Sequence, residues 1–196
     1  MIERGTTKYG LNKAGFTLHS TIHEARKDIN AIIHVHTNVA AGLSALKVGL
    51  LPISQEALLC GHVGYHDYEG ILVDEPMRAK IKRDLGEKHK ILVLRNHGIV
   101  FCGATLEEAW LRLITFMSAV DIQFHAMAAA GGNGANLIVP PERVLHQVQR
   151  ILQVGVNEKP KDGSIQWSLG DMELEAEMRK LDRMVYHSIF FLLYSN

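Results

Sequence analysis

Short β-branched runs alternate along this chain with stretches whose apolar residues recur at helical spacing, and such alternation argues for α/β packing. The first strand expected is Ala31 to His36 (AIIHVH). Val63 to Tyr68 and Gly70 to Val73 read as extended. Ile91 to Leu94 is an apolar strand that Asn96-His97-Gly98 interrupts and Ile99 to Phe101 resumes. Helices are expected from Phe16 to Asp28, Asn38 to Leu50, Gln55 to Leu59 and Glu75 to Leu85, the last ending at Gly86. The strongest helical pattern is Leu106 to Ala130. Thr105 and Glu108 form a capping-box pair at its start, and Trp110, Leu113, Met117, Val120 and Phe124 make one apolar stripe expected to face the core. Beyond Pro140-Pro141, helices are expected over Glu142 to Gln153 and Asp171 to Tyr186, with a polar linker from Gly155 to Ser168 between them. The expected organisation is a main domain over 1–154, a linker over 155–168 and a C-terminal helix and tail over 169–196.

At 196 residues the chain is long enough for one domain with a sizeable core. Its 21 Lys and Arg balance 21 Asp and Glu, so no net charge speaks for nucleic acid or for an anionic membrane surface. Cys60 and Cys102 lie in no CxxC pair and read as buried, reduced thiols. MIERGTTKYG carries charge early and lacks an apolar stretch, so it does not read as a signal peptide. The dense apolar run Ile189 to Tyr194 falls far short of the roughly 20 residues a membrane-spanning helix needs.

His34 and His36 are the sharpest chemical feature. Residues two apart on a strand point to one face, which places two imidazoles about one metal's width apart. A third ligand must come from elsewhere. His97 qualifies because the RNHG turn aims a side chain outward from a strand break, and Gly98 permits close backbone approach. The spacing alone also fits two ordinary histidines and a turn histidine bonded to backbone. The cluster His62, Tyr65, His66, Asp67 and Tyr68 reads either as a pocket lining or as an interface or loop cluster, and Lys80, Lys82, Arg83, Lys88 and Lys90 read as a solvated face.

The segments AGFTLHSTIHEARKDINAIIHVHT, GLLPISQEALLCGHVGYHDYEGILVDE and ILVLRNHGIV resemble the class II aldolase and adducin family, and their wording is nearer its adducin branch. The resemblance runs from Arg4 to about Tyr186. It implies a three-layer α/β/α fold around a mixed, largely antiparallel sheet. In the family's sugar-phosphate aldolases an HxH pair and a later His followed by Gly hold zinc; the matching positions are His34, His36 and His97. The zinc polarises a substrate carbonyl or stabilises an enediolate, and an early glutamate is the acid–base catalyst.

This sequence departs from that pattern. Counting back from the HxH pair, the catalytic glutamate falls on Gly15, and the preceding phosphate-binding serines fall on Lys13 and Ala14. Glycine has no group to move a proton; His19 and Glu24, on the following helix, are weak substitutes. The expectation is a non-catalytic protein with a vestigial or structural Zn2+ site. By resemblance it is the self-associating head of a membrane-skeleton component that links spectrin to actin, in the cytoplasm at the inner face of the plasma membrane. The alternative is a zinc-dependent lyase acting on a sugar phosphate. Family members carry strands and helices before the position of Met1, and adducins carry a neck and basic tail; against that pattern the chain reads as a fragment, a short isoform or an incomplete gene model.

Overall fold

The computed structural model describes residues 10–67, 70, 75–155 and 167–184. Within them β1 (Ala31–Val35), β2 (Val63–His66), β3 (Ile91–Leu94) and β4 (Gly98–Gly103) form a sheet of order β1-β4-β3-β2. β4 runs antiparallel to both β1 and β3, and β2 runs parallel to β3, so the sheet is mixed and largely antiparallel, as expected. β3 and β4 are buried at every position, which matches their unbroken apolar sequence.

Helices cover both faces. On one, α1 (Lys13–Ala25) and α4 (Glu75–Leu85) set Leu18, Ile22, Met77, Ile81 and Leu85 against Leu92, Leu94, Val100 and Cys102. On the other, α2 (Asn38–Ser44), α3 (Gln55–Leu59) and the long α5 (Leu106–Ala129) cover Ile91, Val93, Ile99 and Phe101. Phe101 meets Phe116 of α5 edge to face, with ring centroids 5.5 Å apart. The result is the three-layer α/β/α arrangement. Beyond it lie α6 (Glu142–Gly155), beside α3, and α7 (Asp171–Arg183), beside α5.

Three helices differ from the sequence reading. α1 starts and ends three residues early. Asn12 caps it by accepting from the Gly15 N–H, which places Gly15 in its first turn, and the chain turns extended at Arg26, whose guanidinium is held by Asp28. The helix expected over Asn38 to Leu50 stops at Ser44, because side chains from elsewhere claim the backbone groups that would continue it. Gln123 takes the Leu51 N–H at 2.7 Å and donates to the Gly49 carbonyl at 2.9 Å, and the Tyr65 hydroxyl accepts from the Leu50 N–H. On α5 the fully buried line is Ala109, Phe116, Ala119, Val120 and Gln123, rotated from the expected stripe; Leu113, Met117 and Phe124 flank it, and Trp110 is only half-buried.

Thr105 caps α5 by accepting from the Glu108 N–H, while Glu108 reaches back to the Ala104 N–H instead of the cap residue's own, so half of the expected capping box forms. The expected extended stretch to Val73, most of the 155–168 linker, the last turn to Tyr186 and the apolar run at 189–194 lie outside the described residues.

Replacing Gln123 with Leu strips partners from the Leu51 N–H and the Gly49 carbonyl at once. We expect a loss of about 2 kcal/mol, read as a lower urea midpoint with unchanged slope in equilibrium denaturation.

Candidate metal centre

β1 and α2 meet at the site. Ile32 and Val100 belong to the core under α1, and His34, paired with Val100, projects from the same face of β1; Ile33 and Val35 project to the other. The strand ends at Val35, so His36 emerges just past the last paired residue, and Thr37 then caps α2 by accepting from the Ala40 N–H. His97 is the last residue of the three-residue turn Arg95-Asn96-His97, closed by the Leu94–Gly98 pair. Asn96 takes a left-handed conformation (φ 53°), which a short polar side chain tolerates.

These three histidines converge. One ring nitrogen from each of His34, His36 and His97 lies within 4.8 Å of the other two, with ring centroids 4.4–5.1 Å apart. A tetrahedral zinc with Zn–N near 2.1 Å needs donors about 3.4 Å apart, a spacing that small ring rotations reach. The Nδ1 of His34 lies 3.0 Å from the Ile99 carbonyl, which can only accept, so Nδ1 carries the hydrogen and Nε2 presents its lone pair. That Nε2 sits 2.7 Å from His36 Nε2. Burial, with smaller contributions from His36, His97 and His19, pushes the His34 imidazole down to about 4 despite the opposing pull of the Ile99 carbonyl. Burial and His36 likewise lower His97. A metal binds an imidazole through a ring lone pair; His34 presents one in a fixed tautomer, and with a ring nitrogen of His36 and of His97 within reach the donor set fits a zinc-type ion.

Gly98 is the constraint on which this packing turns. A Cβ there would sit 2.4 Å from the Val35 carbonyl and 2.8 Å from Cδ2 of His36. The close approach expected of this glycine is therefore present, directly behind two of the three rings.

The remaining candidate positions behave differently. Gly15 lies one helical turn before His19 on α1, and a Cβ at Gly15 would meet nothing closer than 3.8 Å, the Asn12 side chain, so the position is sterically free. Glu24 is exposed and held by Arg78 at 2.8 Å and Lys82 at 2.9 Å on α4; those cations keep its carboxyl below its ordinary range. His19 is half-buried, and burial lowers its imidazole. The cluster around His66 builds structure: His66 Nδ1 lies 2.7 Å from Asp84, and the Tyr65 ring lies under Arg95. Lys82 and Lys90 pair with Glu24 and Asp28. Cys60 and Cys102 are free and buried, and burial pushes both thiols up to about 12, far from thiolate chemistry at neutral pH. Sequence reasoning gave no weight to Arg95, although it lies in the RNHG turn already singled out.

The class II aldolase and adducin N-terminal domain model matches residues 2–124. The chain belongs to the class II aldolase and adducin family. Among curated relatives it is 43% identical to alpha-adducin of Rattus norvegicus over 189 residues, which cover 96% of this chain and 25% of that protein. It is 39% identical to beta-adducin of Homo sapiens over 189 residues, 96% of this chain and 26% of that protein. The chain thus spans about a quarter of the length of these relatives. Among solved structures it resembles an aldolase II superfamily protein from Pseudomonas syringae, with a TM-score of 0.74 and 36% identity over 91% of this chain and 66% of that one. An L-fuculose 1-phosphate aldolase from Glaciozyma antarctica PI12 follows at TM-score 0.61 and 27% identity, covering 76% of this chain and 56% of that one. Among the described residues no helix is long and apolar enough to cross a membrane. The adducin-like head and the aldolase-type fold thus meet in one chain, and the three-histidine cluster sits at the end of its β1/β4 pair.

Two outcomes follow for the metal-free protein. Gly98→Ala forces apart the Val35 carbonyl and the His36 ring, and we expect a loss of about 2–4 kcal/mol as the β1/β4 end shifts, measured by thermal and urea unfolding. The lowered His34 value means that the unfolded chain binds more protons than the folded one between about pH 4 and 6.5. Stability then rises with pH across that window and is lost as pH falls through it. His34→Gln should flatten this slope; an unchanged slope in pH-dependent urea titrations would contradict it.

Proposed function

We propose that this chain is a non-catalytic, adducin-like head module that self-associates within a spectrin–actin membrane skeleton and holds a structural metal ion, zinc by preference, on His34, His36 and His97. The observation that carries this reading is the converged three-imidazole donor set, taken with Gly15, which by the resemblance falls where the family's enzymes have their acid–base carboxylate. A bound zinc would supply Lewis acidity. A glycine at position 15 supplies no carboxylate to move the substrate proton that aldol cleavage requires. The identity to alpha- and beta-adducin over nearly the whole chain supports the cytoskeletal assignment. Spectrin, actin and adducin-like chains as partners, and a place in the cytoplasm at the inner face of the plasma membrane, rest on the same resemblance, as does the division into a head over 1–154, a linker over 155–168 and a C-terminal helix and tail over 169–196.

The second reading, a zinc-dependent lyase acting on a sugar phosphate, is favoured by the same histidines and by the likeness to L-fuculose 1-phosphate aldolase. The free space at Gly15 makes the two readings separable. We expect elemental analysis of purified protein to find about one zinc per chain, as a three-histidine site implies, and to find it lost in both His34→Ala and His97→Ala. Aldol cleavage of L-fuculose 1-phosphate should be undetectable in the wild type, and turnover abolished by His34→Ala would establish the lyase instead. A sedimentation experiment showing only monomer at every concentration would remove the self-associating role.

A further inference from the structure

The turn that carries His97 sits at the end of a sheet, where loop tips are ordinarily the least constrained part of a fold. Here all three of its backbone N–H groups are engaged. Arg95 donates to the His66 carbonyl of β2 at 2.8 Å, Asn96 to the Ser44 carbonyl at the end of α2 at 3.2 Å, and His97 to the Leu94 carbonyl at 3.1 Å. The Arg95 side chain adds a second attachment. Its guanidinium lies 4.5 Å from the centroid of the Tyr65 ring, its Nη1 donates to the Leu46 carbonyl, and its Nη2 reaches the Lys47 carbonyl at 3.5 Å. Tyr65 cannot swing aside, because its hydroxyl holds the Leu50 N–H at 3.0 Å and Gly49, which has no Cβ, packs against that same hydroxyl.

The geometry points to Arg95 as the positioning residue of the histidine centre, tying the segment just beyond α2 to the turn that carries His97. α2 begins at the residue after the Thr37 cap, which itself follows His36. The helix is therefore a strut. One end is joined through Thr37 to the second histidine; at the other, Ser44 accepts from the Asn96 N–H, and Arg95, two residues before the third histidine, grips Leu46 and Lys47 just beyond the helix. Arg95 touches neither the metal position nor a reacting atom; it fixes where His97 stands relative to His36. A planar fork that stacks on an aromatic ring while donating to two carbonyls is a job for arginine, and lysine cannot repeat it.

This inference rests on the metal reading above, and its test separates the two. Cobalt(II) is titrated into the full chain carrying Arg95→Met or Arg95→Lys, and the visible ligand-field bands report both affinity and geometry. Supporting residues around metal ligands typically contribute ten- to hundredfold in affinity. We expect a loss of that size in Arg95→Met, with altered bands and a thermal transition that stays cooperative, and a similar loss in Arg95→Lys. Native-state hydrogen exchange on the metal-free protein should show faster exchange at the Asn96 and His97 amides in both variants. Wild-type affinity and bands together with wild-type exchange would overturn the role of Arg95. Should the wild type take up no cobalt, the metal reading fails, and the clamp is then judged on exchange alone: accelerated at Asn96 and His97 it stands, unchanged it falls. If Arg95→Met does not fold, Arg95→Lys is judged by the same criteria.

Discussion

The histidine centre depends on how closely β4 can pass the end of β1. Gly98 faces the Val35 carbonyl at a separation that admits no side chain, and the β1/β4 register follows from there, with Val35 opposite Ile99 and His34 opposite Val100. That register does two things at once. It sends Ile33 and Val35 into the core beneath α5 and leaves His34 on the α1 side with its Nδ1 on the Ile99 carbonyl. A slip of one residue would exchange the two faces, burying imidazoles among Phe101 and Phe116 and putting isoleucine and valine at the centre. The hydrophobic pattern that folds the sheet therefore also sets the position of the first two ligands.

The electrostatics follow from the same placement. An imidazole on a half-buried strand face loses part of its hydration, and desolvation is the largest cause of the depressed His34 and His97 values. Crowding adds to this, since His36 contributes to the lowering of both His34 and His97. His34, with its tautomer fixed by the Ile99 carbonyl, is a good donor and a poor proton shuttle, since a group that protonates only near pH 4 hands over few protons under physiological conditions.

Much of this was legible in the sequence wherever a signal was local. The period-two spacing of His34 and His36, the break at Asn96-His97-Gly98 and the Thr105 cap each sit within a few residues, and each maps onto the structure. What was missed depends on distant partners. The 38–50 segment has helical composition throughout, yet Tyr65, Arg95 and Gln123, between 15 and 74 positions away in the bonds they make, capture its backbone and end the helix at Ser44. The buried line of α5 was misplaced because alanine and glutamine at 109, 119 and 123 carry little hydrophobic signal, although close packing selects them. Asn12 was passed over as a cap, so Gly15 was left outside a helix whose first turn it occupies. The sheet order, with β2 parallel to β3, has no local signature at all.

The histidine cluster and Gly15 lie on different parts of this fold. His34, His36 and His97 are set by strand register and by a turn bonded to β2 and α2. Gly15, which the resemblance sets against the enzymes' glutamate, lies in the first turn of α1, a half-exposed place where a Cβ meets only the side chain of the cap. Changing a residue there to glycine costs on the order of 1 kcal/mol of helix propensity and disturbs nothing in the core. Removing a histidine from the centre would leave the Ile99 carbonyl or the closely packed Gly98 turn without its partner. Position 15 can therefore change with little structural consequence while the three imidazoles stay converged. The convergence of the three histidines is thus a property of the sheet and its turn, independent of what stands at position 15.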